Sequence, residues 1–167
     1  SSSYTTFDMM PGAHIDVVGD ALNPPFANGT FDTVISTQVL EHVEKPWVVV
    51  HEIGRILKPG GVCVMTAPFL VPYHADPHDY FRYTRQGMES LFINEGFSIV
   101  ESGGYGNAPS MLAEMIHFAY LSHYTKRSRW GAWFRNTVVN SLKWTESKLD
   151  RFFKNDALYA NTYVVAK

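Results

Sequence analysis

Asp16-Val-Val-Gly-Asp-Ala21, Gly29-Thr-Phe-Asp-Thr-Val-Ile-Ser36 and Val62-Cys-Val-Met-Thr-Ala-Pro68 bound the stretch whose reading decides the fold. Each holds a short apolar, β-prone run: Ile15–Val18, Thr33–Ile35 and Val62–Thr66. Small or polar residues follow each run. Between the second and third runs, Val49, Ile53, Ile56 and Leu57 recur at helical spacing. Pro46 suits the first position of that helix because it lacks an N–H that would go unsatisfied there. Pro59-Gly60-Gly61 is expected to end it. Strand, helix and strand in alternation predict an α/β fold built on a mostly parallel sheet. The third run, apolar throughout, reads as a strand buried on both faces. Ligands of such folds sit beyond the C-terminal ends of the strands. That rule selects Asp20, Ala21, Ser36, Thr37, Gln38 and the residues after Ala67 as candidates.

Size and composition narrow the class. At 167 residues the chain is read as one domain, 1–167, able to bury a core. No apolar run approaches the length needed to cross a bilayer. The serine-rich start has neither a basic head nor an apolar core, so it is not read as a signal peptide. The single cysteine, Cys63, excludes a disulfide within the chain and reads as packing in a buried strand. A cytoplasmic setting is expected. Charge is uneven: Lys126, Arg127, Arg129, Arg135, Lys143, Lys148, Arg151 and Lys154 face only Glu146 and Asp150 in the same stretch.

The segment after the third run, Pro68 to Thr84, is dense in chemistry. Tyr73, His74, Asp76, His78, Asp79, Tyr80, Arg82 and Tyr83 crowd into it. That is more than a connector needs, and function often rides on such loops. One reading makes the loop a substrate wall with His74 or His78 as base. A second makes His74, Asp76 and His78 metal ligands, but their spacing fits no recognised metal motif, and no metal is expected. A third is structural, with Arg82 pairing a carboxylate. His42 is either a further base or a packing residue at a helix start.

Beyond the loop, Thr84 is expected to cap a helix carrying Met88, Leu91 and Phe92 that stops at Gly96. Phe97–Val100 reads as a strand and Gly103-Gly104-Tyr105-Gly106 as a flexible hinge. Pro109–Tyr124 and about 132–153 read as two added helices within an insertion spanning about 107–155. The aromatic and basic content of the second suits a lid, a dimer surface, a membrane-surface helix or a solvated basic face. No motif supports nucleic-acid binding, and none is expected. Leu158–Ala166 reads as the last strand.

Taken in order, Gly19-Asp20-Ala21, Pro25-Phe26, Gly29-Thr30-Phe31-Asp32, Leu40-Glu41-His42-Val43, Glu52-Ile53 and Arg55-Ile56-Leu57-Lys58-Pro59-Gly60-Gly61 resemble class I S-adenosylmethionine-dependent methyltransferases of the type 11 kind. The resemblance covers roughly residues 5 to 100, with the last strand. It implies a Rossmann-like three-layer sandwich whose last strand inserts antiparallel between the fifth and sixth. It also implies the cofactor S-adenosyl-L-methionine. Asp8, ending the run Ser3–Phe7, would take the ribose hydroxyls; alternatively it starts the turn to Gly12. Asp20 and Ala21 would meet the adenine edge, or Asp20 caps a turn. Phe26 packs by the adenine or anchors its loop. Ser36, Thr37 and Gln38 would line the methionine side. His42, His74 and His78 are the catalytic candidates, and Tyr73, Asp79, Tyr80, Arg82 and Tyr83 the substrate-side ones. Asp79-Tyr80-Phe81-Arg82-Tyr83-Thr84 resembles a subgroup found among cell-surface polysaccharide enzymes.

The chain departs from the family in two places. Only Met9 to Ile15 joins the first two strands, too short for a crossover helix. The family's first strand and its glycine-rich turn are missing before Ser3. Three explanations arise: the 167 residues are part of a longer protein, another copy supplies the strand, or the second strand shifts inward in a fold that no longer binds cofactor. The expected function is methyl transfer to an oxygen or nitrogen of a small molecule or saccharide. The alternative is a non-catalytic binding or assembly module acting through its basic helices, 126–154.

Overall fold

The computed structural model describes residues 3–75, 77–106, 111, 115, 133, 137, 141 and 159–167. Strands β1 (Phe7–Asp8) and β2 (Val17–Val18) pair in parallel. Then come β3 (Phe31–Thr37), a single 3-10 turn at Leu40–His42, α1 (Pro46–Ile56) and β4 (Leu57–Pro68). They are followed by α2 (Arg85–Asn94), β5 (Ile99–Tyr105) and β6 (Asn161–Ala166). The larger sheet runs β3-β4-β6-β5. β3 and β4 are parallel, and β6 is antiparallel to both β4 and β5. Three strands therefore point one way, with the last strand reversed between two of them, as expected. Residues 9–16 cross from β1 to β2 without a helix.

The β1–β2 pair makes no strand hydrogen bonds with the larger sheet. Rings bridge the interval: Phe26 meets Phe7 edge-on at 5.4 Å and Phe31 at 5.0 Å between centroids. Phe26 is thus an anchor. Arg55 of α1 steadies the same loop, donating to the carbonyls of Phe26 (2.7 Å) and Pro24 (3.1 Å) and to Asn28 Oδ1 (2.9 Å), while Glu52 holds its Nε (2.8 Å).

Alternation along β4 and β6 sets the core. Cys63, Met65, Ala67, Val164 and Ala166 are buried and pack with Val49, Val50 and Ile53 of α1 and Met88 and Phe92 of α2. Burying a side chain such as Phe92 or Met65 contributes about 1.5–3 kcal/mol. The opposite face of β4, at Val62, Val64 and Thr66, is only half-buried, and Ile35 of β3 is exposed. The expectation of a strand buried on both faces is corrected accordingly. Among the described residues helices cover one face of the sheet.

Several boundaries also differ from expectation. α1 ends at Ile56, and Leu57 already pairs with Phe31 as the first residue of β4. Lys58 to Gly61 form an irregularity in that strand, where Gly60 takes φ +78°. Ser36 and Thr37 lie inside β3, opposite Met65 and Thr66, so only Gln38 of that trio follows the strand. Gly103, Gly104 and Tyr105 are strand, paired with Tyr163, Thr162 and Asn161, and form no hinge. The glycines serve packing: a Cβ on Gly104 would lie 2.1 Å from the Tyr159 ring, and one on Gly103 2.7 Å from Tyr163. The expected cap holds, since Thr84 Oγ1 accepts from the Gly87 N–H at 3.1 Å.

Met111, Met115, Trp133, Thr137 and Ser141 are helical. The two expected added helices, Pro109–Tyr124 and about 132–153, otherwise fall outside the described residues. No helix among the described residues is long and apolar enough to cross a membrane.

Candidate functional site

Two neighbouring parallel strands, β3 and β4, end side by side, and their following segments meet. After Thr37, the Gln38 backbone adopts φ +54°. That is an uncommon left-handed conformation for a residue other than glycine. Its N–H donates to the Thr66 carbonyl (3.0 Å) and its side chain to Thr66 Oγ1 (3.3 Å). This sharp turn sends the chain into Leu40-Glu41-His42. From the other side, the loop after β4 returns over the same spot. Tyr80 N–H donates to the Glu41 carbonyl at 2.7 Å, and the Tyr83 hydroxyl donates to the Leu40 carbonyl at 3.2 Å.

The loop is pinned by Arg82. Its guanidinium donates to the carbonyls of Val71 (3.0 Å), Pro72 (3.0 Å) and Phe81 (2.8 Å). It also grips Asp79 with both terminal nitrogens. Asp79 in addition accepts from the His74 N–H at 2.9 Å. The fork of donors on Arg82 matches a carboxylate and nearby carbonyls at once. Hydrogen bonds from Arg82 hold the Asp79 carboxyl well below the usual carboxylate range. The same bonds push the Arg82 guanidinium upward.

The folded loop brings His74 onto His42 and Glu41. The two imidazoles meet edge-on at 5.3 Å. Glu41 is fully buried, and neither of its carboxylate oxygens has a hydrogen-bond partner. Its Oε1 lies 3.7 Å from His42 Nε2 and 3.9 Å from His74 Nε2, too far for a hydrogen bond. Burial pushes the Glu41 carboxyl above its ordinary value, with the dipole of its own backbone N–H and then His42, His74 and Arg82 acting in the opposite sense. His42 Nδ1 lies 2.5 Å from the His78 carbonyl, and His74 Nδ1 lies 2.9 Å from the Pro72 carbonyl. A carbonyl only accepts, so each Nδ1 carries a proton, which in a neutral imidazole leaves the lone pair on Nε2. Arg82 also comes within 3.4 Å of His74 Nδ1, a longer contact than that to Pro72.

The other candidates separate. His78 is exposed and packs by Tyr80 at 5.5 Å, its backbone alone serving the cluster. Asp76 lies outside the described residues. Tyr73 and Tyr80 are exposed, whereas Tyr83 is a core residue, its hydroxyl pushed upward by burial. The substrate-side expectation for Tyr83 therefore gives way to packing, because the ring is enclosed with Met88 and Phe92. Asp8 and Asp20 end β1 and follow β2. Asp8 Oδ1 accepts from the Met10 N–H and Asp20 Oδ1 from the Leu22 N–H, each at 2.8 Å. Both thus build turns, and each keeps its second oxygen without a partner among the described residues. Ala21 is half-buried and packs against the core. Glu41 is the site residue that local sequence does not single out; its available signal is a carboxylate beside a histidine after a strand, in Leu40-Glu41-His42-Val43.

A cleft lined by His51, Arg55, Lys58, Glu95, Phe97 and Lys167 lies at the opposite ends of the strands, away from this cluster.

Residues 7–65 match the model of a family described as "Methyltransferase domain". That interval includes Asp8, Asp20, Gln38, Glu41 and His42. A protein of Mycobacterium sp. (strain JLS), named as an uncharacterized methyltransferase, is 38% identical over 138 residues, covering 76% of this chain and 53% of that protein. The chain spans about half the length of the relatives it matches. Among solved structures, it is similar to Haemonchus contortus phosphoethanolamine N-methyltransferase 2 in complex with S-adenosyl-L-methionine. The TM-score is 0.51 at 19% identity, covering 89% of this chain and 36% of that one. It is also similar to the cyclase SpnF, with a TM-score of 0.52 at 19% identity, covering 92% of this chain and 55% of that one. At these identities the structural likeness concerns the fold alone.

Proposed function

Because this chain belongs, by sequence and fold, with the class I S-adenosylmethionine-dependent methyltransferases, we propose that it takes part in methyl transfer to an oxygen or nitrogen of a small molecule or saccharide. The observation that carries this reading is the convergence of Glu41, His42 and His74 at the C-terminal ends of β3 and β4, where α/β folds hold their ligands. The donor set nearby fits the cofactor. Asp8 and Asp20 offer acceptor-only oxygens to ribose hydroxyls and an exocyclic amine. The Ala21 amide would serve the adenine edge. Ser36 and Thr37 at the end of β3, and Gln38 just after it, would line the methionine side.

S-adenosylmethionine supplies an electrophilic methyl group on a sulfonium that leaves readily. The chain's residues then have mainly to position the partners. The partly exposed His42 and His74 side chains, lying over Glu41, would meet the acceptor's hydroxyl or amine. The exposed rings of Tyr73 and Tyr80 offer flat faces with polar tips, suited to a sugar. Arg82 and Asp79 do not meet substrate in this reading; they shape the loop.

The divided sheet favours a second reading, a non-catalytic module of the same fold, since β1–β2 and β3 share no strand hydrogen bonds. Calorimetric titration of S-adenosylhomocysteine into the purified protein separates the two. Micromolar one-site binding is the expected result, and an acceptor screen follows from it. Absence of heat in a sample shown by circular dichroism to be folded defeats the cofactor reading.

A further inference from the structure

We propose that Glu41, His42 and His74 form a binding site for one first-row divalent metal ion of the zinc type. The carboxylate and imidazole donor atoms of these three residues lie within 4.8 Å of one another. Four-coordinate zinc with bonds of about 2.0–2.1 Å places its ligand atoms about 3.3 Å apart. The Glu41 Oε1 distances of 3.7 and 3.9 Å to the two Nε2 atoms need only a small contraction.

Three independent features point to a cation there. Glu41 is wholly buried with both oxygens unpartnered, which is costly for a carboxyl group unless something satisfies it. Both imidazoles are already oriented as ligands, since each spends Nδ1–H on a backbone carbonyl and turns Nε2 toward Glu41. That outer-shell arrangement is how metal-bound histidines are held. Finally, the site has an approach: His42 and His74 side chains are 22% and 37% exposed while Glu41 is closed off beneath them.

Donor chemistry selects the ion. Two imidazoles and one carboxylate suit zinc or ferrous iron and disfavour magnesium and calcium, which take oxygen ligands. Three protein ligands leave at least one position open to a solvent or substrate oxygen. The ligand set joins two segments distant in sequence, so it differs from the His74, Asp76, His78 spacing. If the methyl-transfer reading holds, the open position would receive the acceptor's oxygen and lower its proton affinity; that consequence rests on the reading, whereas the site itself does not.

The test is titration of metal-free, tag-free protein with Co²⁺, followed by its visible absorption, and with Zn²⁺ by calorimetry. One ion per chain is expected, with cobalt bands of a low-coordinate nitrogen and oxygen site. E41Q, H42A and H74A should each weaken binding by about 100-fold or more, while H78A should leave it within about 3-fold. E41Q removes a buried charge with little change of shape, and circular dichroism confirms its fold. No binding to the wild-type protein overturns the proposal, as does binding that persists in all three ligand variants. Separate titration with S-adenosylhomocysteine tells failure of the metal site from failure of the cofactor reading.

Discussion

Replacing Arg82 by alanine should loosen the loop that delivers His74. The Asp79 side chain is only 1% exposed and Arg82 26%, so the pair is largely shielded from water. Removing the guanidinium leaves Asp79 with one remaining donor, the His74 N–H. It also strips a donor from the carbonyls of Val71, Pro72 and Phe81. Breaking a buried pair costs about 3–5 kcal/mol. The partial exposure of Arg82 places this case near the lower end, about 3 kcal/mol. R82K keeps a charge for Asp79 but cannot reach the same carbonyls. At about 1 kcal/mol net for each bond lost, it should cost about 1–3 kcal/mol. Urea unfolding measures both. D79N and the D79N/R82A double variant complete the cycle, and a coupling of at least about 1 kcal/mol is expected between residues in direct contact. An R82A cost below about 1 kcal/mol, with no coupling, would refute the argument that this pair holds the loop in place. Since typical domains are stable by about 5–15 kcal/mol, R82A should still fold well enough to be measured.

Two further outcomes follow from the packing. G104A sets a methyl group against the Tyr159 ring, with an unrelaxed approach of 2.1 Å, and should destabilise by about 1–3 kcal/mol in urea unfolding; Y159A in the same chain should recover much of that loss. Cys63 is fully buried and its thiol is pushed up to about 12, so a thiol reagent at neutral pH should react only upon unfolding. Because its folded pKa lies above that of an unfolded thiol, about 8.5, its contribution is intact below that value and should fall away as pH rises toward 12, an effect that C63S should remove from the alkaline limb of stability. Rapid native-state labelling would contradict the burial of β4.

Much of the fold is visible in local pattern because local physics sets it. Pro46 opens α1, Thr84 caps α2 through Gly87, and the β-prone run ending at Ala166 forms the last strand. The short Met9–Ile15 link excludes a crossover helix on length alone. Where the pattern misled, long-range contacts were responsible. Gly103-Gly104 has the composition of a hinge, yet β6 pairs with it and two tyrosine rings need the space that side chains would fill. Lys58-Pro59-Gly60-Gly61 has the composition of a turn, yet it is absorbed into β4 as an irregularity.

The candidate site divides in the same way. The sequence by itself determined that an α/β chain of methyltransferase type carries its polar candidates after strands, and it named His42 and His74 separately. Only the tertiary structure decided that they share one buried carboxylate. Glu41 and His74 are far apart in the chain, and an Arg82–Asp79 pair must fold the loop back before they meet. Burial, which turns Glu41 from an ordinary surface acid into an unsatisfied group awaiting a cation, is a property of that enclosure and of no local sequence pattern.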